Sequence, residues 1–86
     1  MQTLNTQDIA HLQFEHDDYI FDTYAVEDGG INVVIFDTIK NVACGLATIW
    51  IHGLKYDYNI HFDKYLNLHS LLETLCEYII KEAQND

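Results

Sequence analysis

At 86 residues, 49% hydrophobic and 13% aromatic, the chain is apolar enough to fold but has room for only one core, so a single domain over residues 1–86 is expected. Fourteen Asp and Glu face four Lys and no Arg, a formal net charge of −10, which excludes ordinary nucleic-acid binding through phosphate neutralisation and disfavours anionic membranes. No apolar run approaches the roughly eighteen residues of a membrane span, and no basic segment precedes an apolar one, so a cytoplasmic protein without a signal peptide is expected.

The first element, NTQDIAHLQF (residues 5–14), puts Ile9, Leu12 and Phe14 on one side with Thr6 as N-cap, the pattern of a short amphipathic helix. Four strand-like runs follow. DYIFDTYAVE (18–27) is rich in aromatic and β-branched residues and ends at Asp28-Gly29-Gly30, a hairpin turn in which glycine supplies positive φ. INVVIFD (31–37) runs into a turn at residues 38–41, and VACGLATIWIH (42–52) is apolar almost throughout. A turn at residues 52–55 leads to YDYNIHF (56–62). Short connections between successive strands predict an antiparallel meander in chain order.

Past Asp63 the period changes. Leu68, Leu71, Leu72, Leu75, Ile79 and Ala83 make one apolar stripe along a helix over 67–84, with Asn67 as N-cap and Lys81 near the negative end of the dipole. The expected fold is α+β: a four-stranded antiparallel meander with a long C-terminal helix on one face and a short N-terminal helix. Cys44 lies in the most apolar strand and Cys76 on the Leu-rich helix, so both read as buried, inert thiols, with no disulfide.

Alternation assigns faces to the strands. Tyr56, Tyr58, Ile60 and Phe62 share one side of the last strand, with Asp57, Asn59 and His61 on the other. The central strands are apolar on both sides, Val33 and Ile35 being backed by Val34 and Phe36, and Ala47, Ile49 and Ile51 by Leu46 and Trp50. One helix cannot cover both faces. The second face must meet the N-terminal segment, a second subunit or a partner protein.

The stretch 14–30, FEHDDYIFDTYAVEDGG, holds six carboxylates and no Lys. On its strand Tyr19, Phe21, Thr23 and Ala25 point to the core, while Asp18, Ile20, Asp22, Tyr24 and Val26 point the other way. Alternate residues stand about 6.6 Å apart, so these carboxylates, extended by Glu15, Asp17, Glu27 and Asp28, form a rail of negative charge beside Ile20 and Tyr24. Phosphates along a nucleic acid make a comparable array.

Enzymatic chemistry finds little support. His16 with Asp18 and His61 with Asp63 are the nearest approach to a metal-ligand pattern, and neither spacing is diagnostic; no metal or cofactor is expected. Carboxylates are abundant without a cleft to use them, and no glycine-rich phosphate loop or nucleophile elbow is present. In size, charge and compactness the chain resembles the small acidic proteins that block nucleic-acid-handling machinery. These include phage-borne nucleic-acid mimics directed against restriction, CRISPR or repair enzymes, and immunity proteins that cap nuclease toxins. That resemblance implies a non-enzymatic inhibitor with a basic protein partner that touches neither nucleic acid nor membrane itself. The strand faces and their charge, not the resemblance, point to Glu15, Asp17, Asp18, Ile20, Asp22, Tyr24, Glu27, Asp28 and Trp50 as the contacting residues. The rival expectation is a homodimer or adaptor whose second sheet face is an obligate interface, with the acidity serving solubility.

Overall fold

The structure, a computed structural model, describes residues 13–26 and 29–84. Five strands, β1 (Gln13–His16), β2 (Tyr19–Ala25), β3 (Ile31–Asp37), β4 (Val42–His52) and β5 (Lys55–Asp63), form one antiparallel sheet in the order β1-β2-β3-β4-β5. A single helix, α1 (Leu68–Gln84), follows. The α+β class and the meander hold. The strand count does not: residues 13 and 14, expected at the end of an N-terminal helix, belong to an added edge strand, and the rest of that expected helix lies outside the described residues. Among the described residues no helix is long and apolar enough to cross a membrane.

The β1–β2 hairpin explains the extra strand. His16 pairs with Tyr19 across a two-residue turn, Asp17-Asp18, in which Asp17 takes the left-handed φ of 53°. Asp tolerates that conformation because its short side chain bonds locally, so the paired acids favour a turn where a strand was expected to begin. Once the chain reverses there, Phe14 lands opposite Phe21, with ring centroids 5.4 Å apart, and stacks at 4.2 Å on Tyr78 of α1. The apolar side of the supposed helix end is spent on the strand's inner face.

The core lies between the sheet and α1. Phe21, Ile31, Val33, Ile35, Ala47 and Ile49 from the strands meet Leu68, Leu71, Leu72, Leu75, Cys76 and Ile79, all buried. The predicted leucine stripe is therefore the helix's inner face, and each such side chain stabilises by about 1.5–3 kcal/mol relative to an exposed one. Gly45 permits the close approach at the start of α1: a Cβ there would collide with Leu68 Cδ1 and stand 2.9 Å from Cδ2.

Helix capping differs from expectation. Asn67 occupies the residue before α1, and its carbonyl accepts from Leu71 N, but its side chain turns away to donate from Nδ2 to the Tyr19 hydroxyl at 3.1 Å. The caps come from Asp63, whose two carboxylate oxygens accept from Asn67 N (3.1 Å) and Leu68 N (3.3 Å). A carboxylate at this end also complements the helix dipole. Asp37 does similar work in the β3–β4 turn, where its Oδ1 accepts from Ile39 N and Lys40 N at 3.0 and 3.1 Å.

Two register shifts interrupt the ladders. Ile35 pairs with Gly45 but Phe36 with Ala43, which leaves Cys44 as an extra residue in β4; Leu46 pairs with Phe62 but Ala47 with Ile60, which leaves His61 as an extra residue in β5. A bulge of this kind reverses the side-chain alternation beyond it. Phe62, expected on the core side with Tyr56, Tyr58 and Ile60, is instead 43% exposed on the far face, and Asp63 swings to the helix side where it caps.

Two outcomes test this packing. Gly45→Ala should cost about 1–3 kcal/mol, read as a lowered Tm, because Leu68 is fully buried and has no free space to rotate into. The Asp37 carboxyl is held below its ordinary 3.8, first by the Lys40 amide, with burial opposing. Its stabilising contribution is therefore complete above pH 3.8 and lost as pH falls through the lower folded value. In urea titrations through that acid window, Asp37→Asn should flatten the loss of stability seen for the native chain.

Candidate functional site

Among the described residues, the sheet has one face under α1 and one without helical cover. On that open face the registers align a row across all five strands: Gln13, Asp22, Val34, Leu46 and Phe62. A second row runs Glu15, Ile20, Phe36 and Ala43, and a third Tyr24, Asn32, Thr48 and Asn59. Phe36, Leu46, Phe62 and Tyr24 are each about 40% exposed, and Val34 and Ile20 are half-buried between them. The centre of the face is thus apolar, and β2, β3, β4 and the bulged end of β5 each supply one of its large exposed side chains.

The nine residues predicted to bind a partner divide accordingly. Glu15, Ile20, Asp22, Tyr24 and Trp50 stand on the open face. Glu15 is directly opposite Ile20, and Asp22 accepts a hydrogen bond from Gln13 Nε2 at 3.0 Å. Trp50 is half-buried, one row beyond Tyr24 and two strands away, so it flanks the patch without joining the acidic end. Asp17 and Asp18 lie in the β1–β2 turn, not on a strand face. Glu27 and Asp28 lie outside the described residues.

The negative rail therefore differs in construction from the one expected. It runs across two neighbouring strands and round their shared turn, from Asp22 and Glu15 to Asp17 and Asp18. The Asp18 carbonyl accepts from both the amide and the hydroxyl of Thr38, each at 2.9 Å, which ties this turn to the β3–β4 turn. Asp17 makes one contact with charge character, to His16 Nε2 at 3.4 Å. Asp57 adds a carboxylate on the β5 side, opposite Trp50. Of the four lysines, Lys55 alone shares this face's alternation, at the extreme β4–β5 turn opposite His52. Lys40 sits over the Tyr65 ring at 5.1 Å instead.

One polar cluster interrupts the apolar centre and was not foreseen. Thr48 Oγ1 donates to Asn32 Oδ1 at 2.8 Å and lies 2.9 Å from His61 Nε2. A hydroxyl has one proton, so with Asn32 receiving it the imidazole must donate from Nε2. Asn32 and His61 border a shallow concavity of about 420 Å³, lined also by Tyr24, Val34 and Leu46. Asn32 and Thr48 were readable as polar residues in apolar strands. That His61 joins them depends on the bulge.

Catalytic groupings were weighed on the same geometry. The described residues hold no group of three or more His, Cys, Asp or Glu able to bind a metal. The two pairs considered from sequence are separated: His16 is in β1 with Asp18 in the turn, and Asp63 is committed to the helix cap while His61 meets Thr48. Both cysteines are free and buried. Burial raises the Cys44 thiol, with Asp37 adding to it, and pushes Cys76 up to about 12, with Glu77 and Glu73 adding. No protein-family model, curated protein or solved structure matches the chain.

Such thiols should be silent in the native protein. A chromogenic disulfide reagent at pH 8 should label neither cysteine until denaturant is added, whereupon two equivalents react. One fast-reacting thiol in the folded chain would mark an activated cysteine and reopen a catalytic reading.

Proposed function

We propose that this chain is a non-enzymatic binding protein whose open sheet face docks onto a basic protein surface, of the kind that nucleases and defence complexes use to hold nucleic acid. The observation that carries the reading is the apolar row Val34, Leu46 and Phe62 with Phe36 beside it, bordered by Glu15 and Asp22 at one side and Asp57 at the other. Exposed apolar patches ringed by charge are the anatomy of interfaces, in which desolvated anchors supply holding energy and rim charges supply orientation and encounter rate. With a net charge of −10, the complementary surface is a Lys- and Arg-rich one.

Inhibition then follows from occupancy. A carboxylate series on β1, β2 and their turn competes with phosphates for the same cations, while Leu46, Phe62 and Phe36 pack against the walls between them. A second reading, in which two copies bury this face against each other, is favoured by the same apolar row. It would gather the carboxylates of both copies around one shared rim, a repulsive arrangement that the basic-partner reading avoids.

The test uses a panel of purified nucleases and nucleic-acid-guided effectors, with cleavage and affinity both measured. Inhibition of at least one is expected, competitive with nucleic acid and weakening steeply between roughly 50 and 500 mM salt. Leu46→Asp should abolish binding, and Glu15→Lys with Asp22→Lys should slow association about tenfold while leaving the fold intact. Salt-independent affinity would sink the electrostatic account. Self-association lost in Leu46→Asp would favour the second reading.

A further inference from the structure

Strand β5 ends the sheet, and among the described residues nothing pairs with its outer edge. At nine residues, Lys55–Asp63, it is long for an edge strand and contains no proline. Such an edge offers a row of amide and carbonyl groups to any approaching strand, and folds commonly guard it with charges that repel a second copy. Here the charges are placed the other way. In KYDYNIHFD, counted outwards from Asn59, Tyr58 mirrors Ile60, Asp57 mirrors His61, Tyr56 mirrors Phe62 and Lys55 mirrors Asp63. Antiparallel self-pairing about Asn59 sets every acid opposite a base and every apolar residue opposite another.

We propose that β5 pairs antiparallel with β5 of a second copy about a twofold axis through Asn59, joining the two sheets into one of ten strands. The axis is perpendicular to the sheet, so residues brought opposite must point to the same face. Between 57 and 61 they do. Asp57, Asn59 and His61 share the open face, and Tyr58 and Ile60 the helix face. The bulge at His61 ends the match, because it turns Phe62 to the open face and Asp63 towards α1. The interface is therefore the Asp57–His61 pair twice, Tyr58–Ile60 twice and Asn59 against its own copy.

Each component is available for that use. Asp57 makes no ion pair among the described residues. Thr48 holds His61 by Nε2, so Nδ1 donates to a carboxylate only as the second N–H of the imidazolium, and the Asp57–His61 pairs form with that cation. Tyr58 is braced by its hydroxyl, 3.0 Å from His69 Nδ1 on α1. That contact sets His69 of each helix beside the Tyr58–Ile60 pair. This pairing uses the sheet edge and does not rest on the docking role of the open face. It leaves both open faces uncovered and on the same side.

Sedimentation velocity on the full chain, up to about 100 µM, tests it. A species of twice the 10.0 kDa chain mass is expected. Asn59 is exposed, so Asn59→Lys and Asn59→Asp should fold normally by circular dichroism, place like charges on the axis and each remain monomeric. Mixing the two should restore a one-to-one heterodimer, and Leu46→Asp should leave the native dimer intact. A monomeric native chain throughout the series would overturn the proposal. So would a dimer that survives in both Asn59 variants, a mixture that stays monomeric, or a dimer lost through Leu46→Asp.

Discussion

One extra residue in β5 controls more of this molecule than any single side-chain contact. Because His61 has no partner of its own in β4, alternation reverses after it, and three consequences follow together. Phe62 leaves the core and completes the apolar row on the open face. Asp63 turns towards α1 and supplies the two acceptors that the first amides of the helix lack. His61 itself reaches Thr48 and anchors the polar cluster beside the concavity. A strictly alternating β5 would bury Phe62 and leave both the helix start and the open face without their principal groups. The bulge is thus the point where the helix-side core and the exposed face are set by the same backbone feature.

The carboxylates sort into two kinds on this framework. Asp37 and Asp63 accept backbone amides, and Asp22 accepts the Gln13 side chain, so these carry local structure through hydrogen bonds. Hydrogen bonding to the charged form offsets the cost of holding negative groups in a chain with few lysines. Glu15, Asp17 and Asp57 have no such amide-capping task; they stand around the open face or at its end. Acidity needed only for solubility could be scattered over the helix's outer surface, as Glu73, Glu77 and Glu82 are. The concentration near β1 and β2 is what the proposed docking role draws on.

What the sequence revealed follows the strength of each local signal. The leucine stripe of α1 was legible because Leu68, Leu71, Leu72, Leu75 and Ile79, all buried, repeat with the helical period. β2 to β5 were legible from β-branched and aromatic runs separated by turn residues, and so was the existence of a second, apolar face. β1 was not, because Gln13–His16 is only four residues long and its Phe14 was grouped with Ile9 and Leu12 on one side of a helix, although it stands only two residues past Leu12. Asp18 was read as the first residue of a strand, with Asp17 on its flank, although the left-handed preference of Asp was the available sign of a turn. The bulges had no signature at all. Register depends on pairing with a neighbouring strand, so Phe62 was assigned by parity to a face it does not occupy. The cap was misassigned for a related reason: Asn67 has the right position, but Asp63 is brought within reach by the same reversal.

Edge and face are separate surfaces, and their separation has a consequence for recognition. A β5 seam formed about an axis perpendicular to the sheet would set two open faces side by side, each with its own apolar row and its own acidic β1–β2 end. The two β1 strands would then lie at opposite margins of a ten-stranded sheet, about 4.8 Å per strand step, hence some 40 Å apart. A basic partner long enough to reach both margins would bind bivalently, with the second contact strengthened by proximity and not by any new chemistry. A compact partner would engage one face and gain nothing. The geometry therefore links oligomeric state to partner size: self-pairing at β5 favours extended, multi-site cationic surfaces, which are the surfaces that track a nucleic-acid backbone.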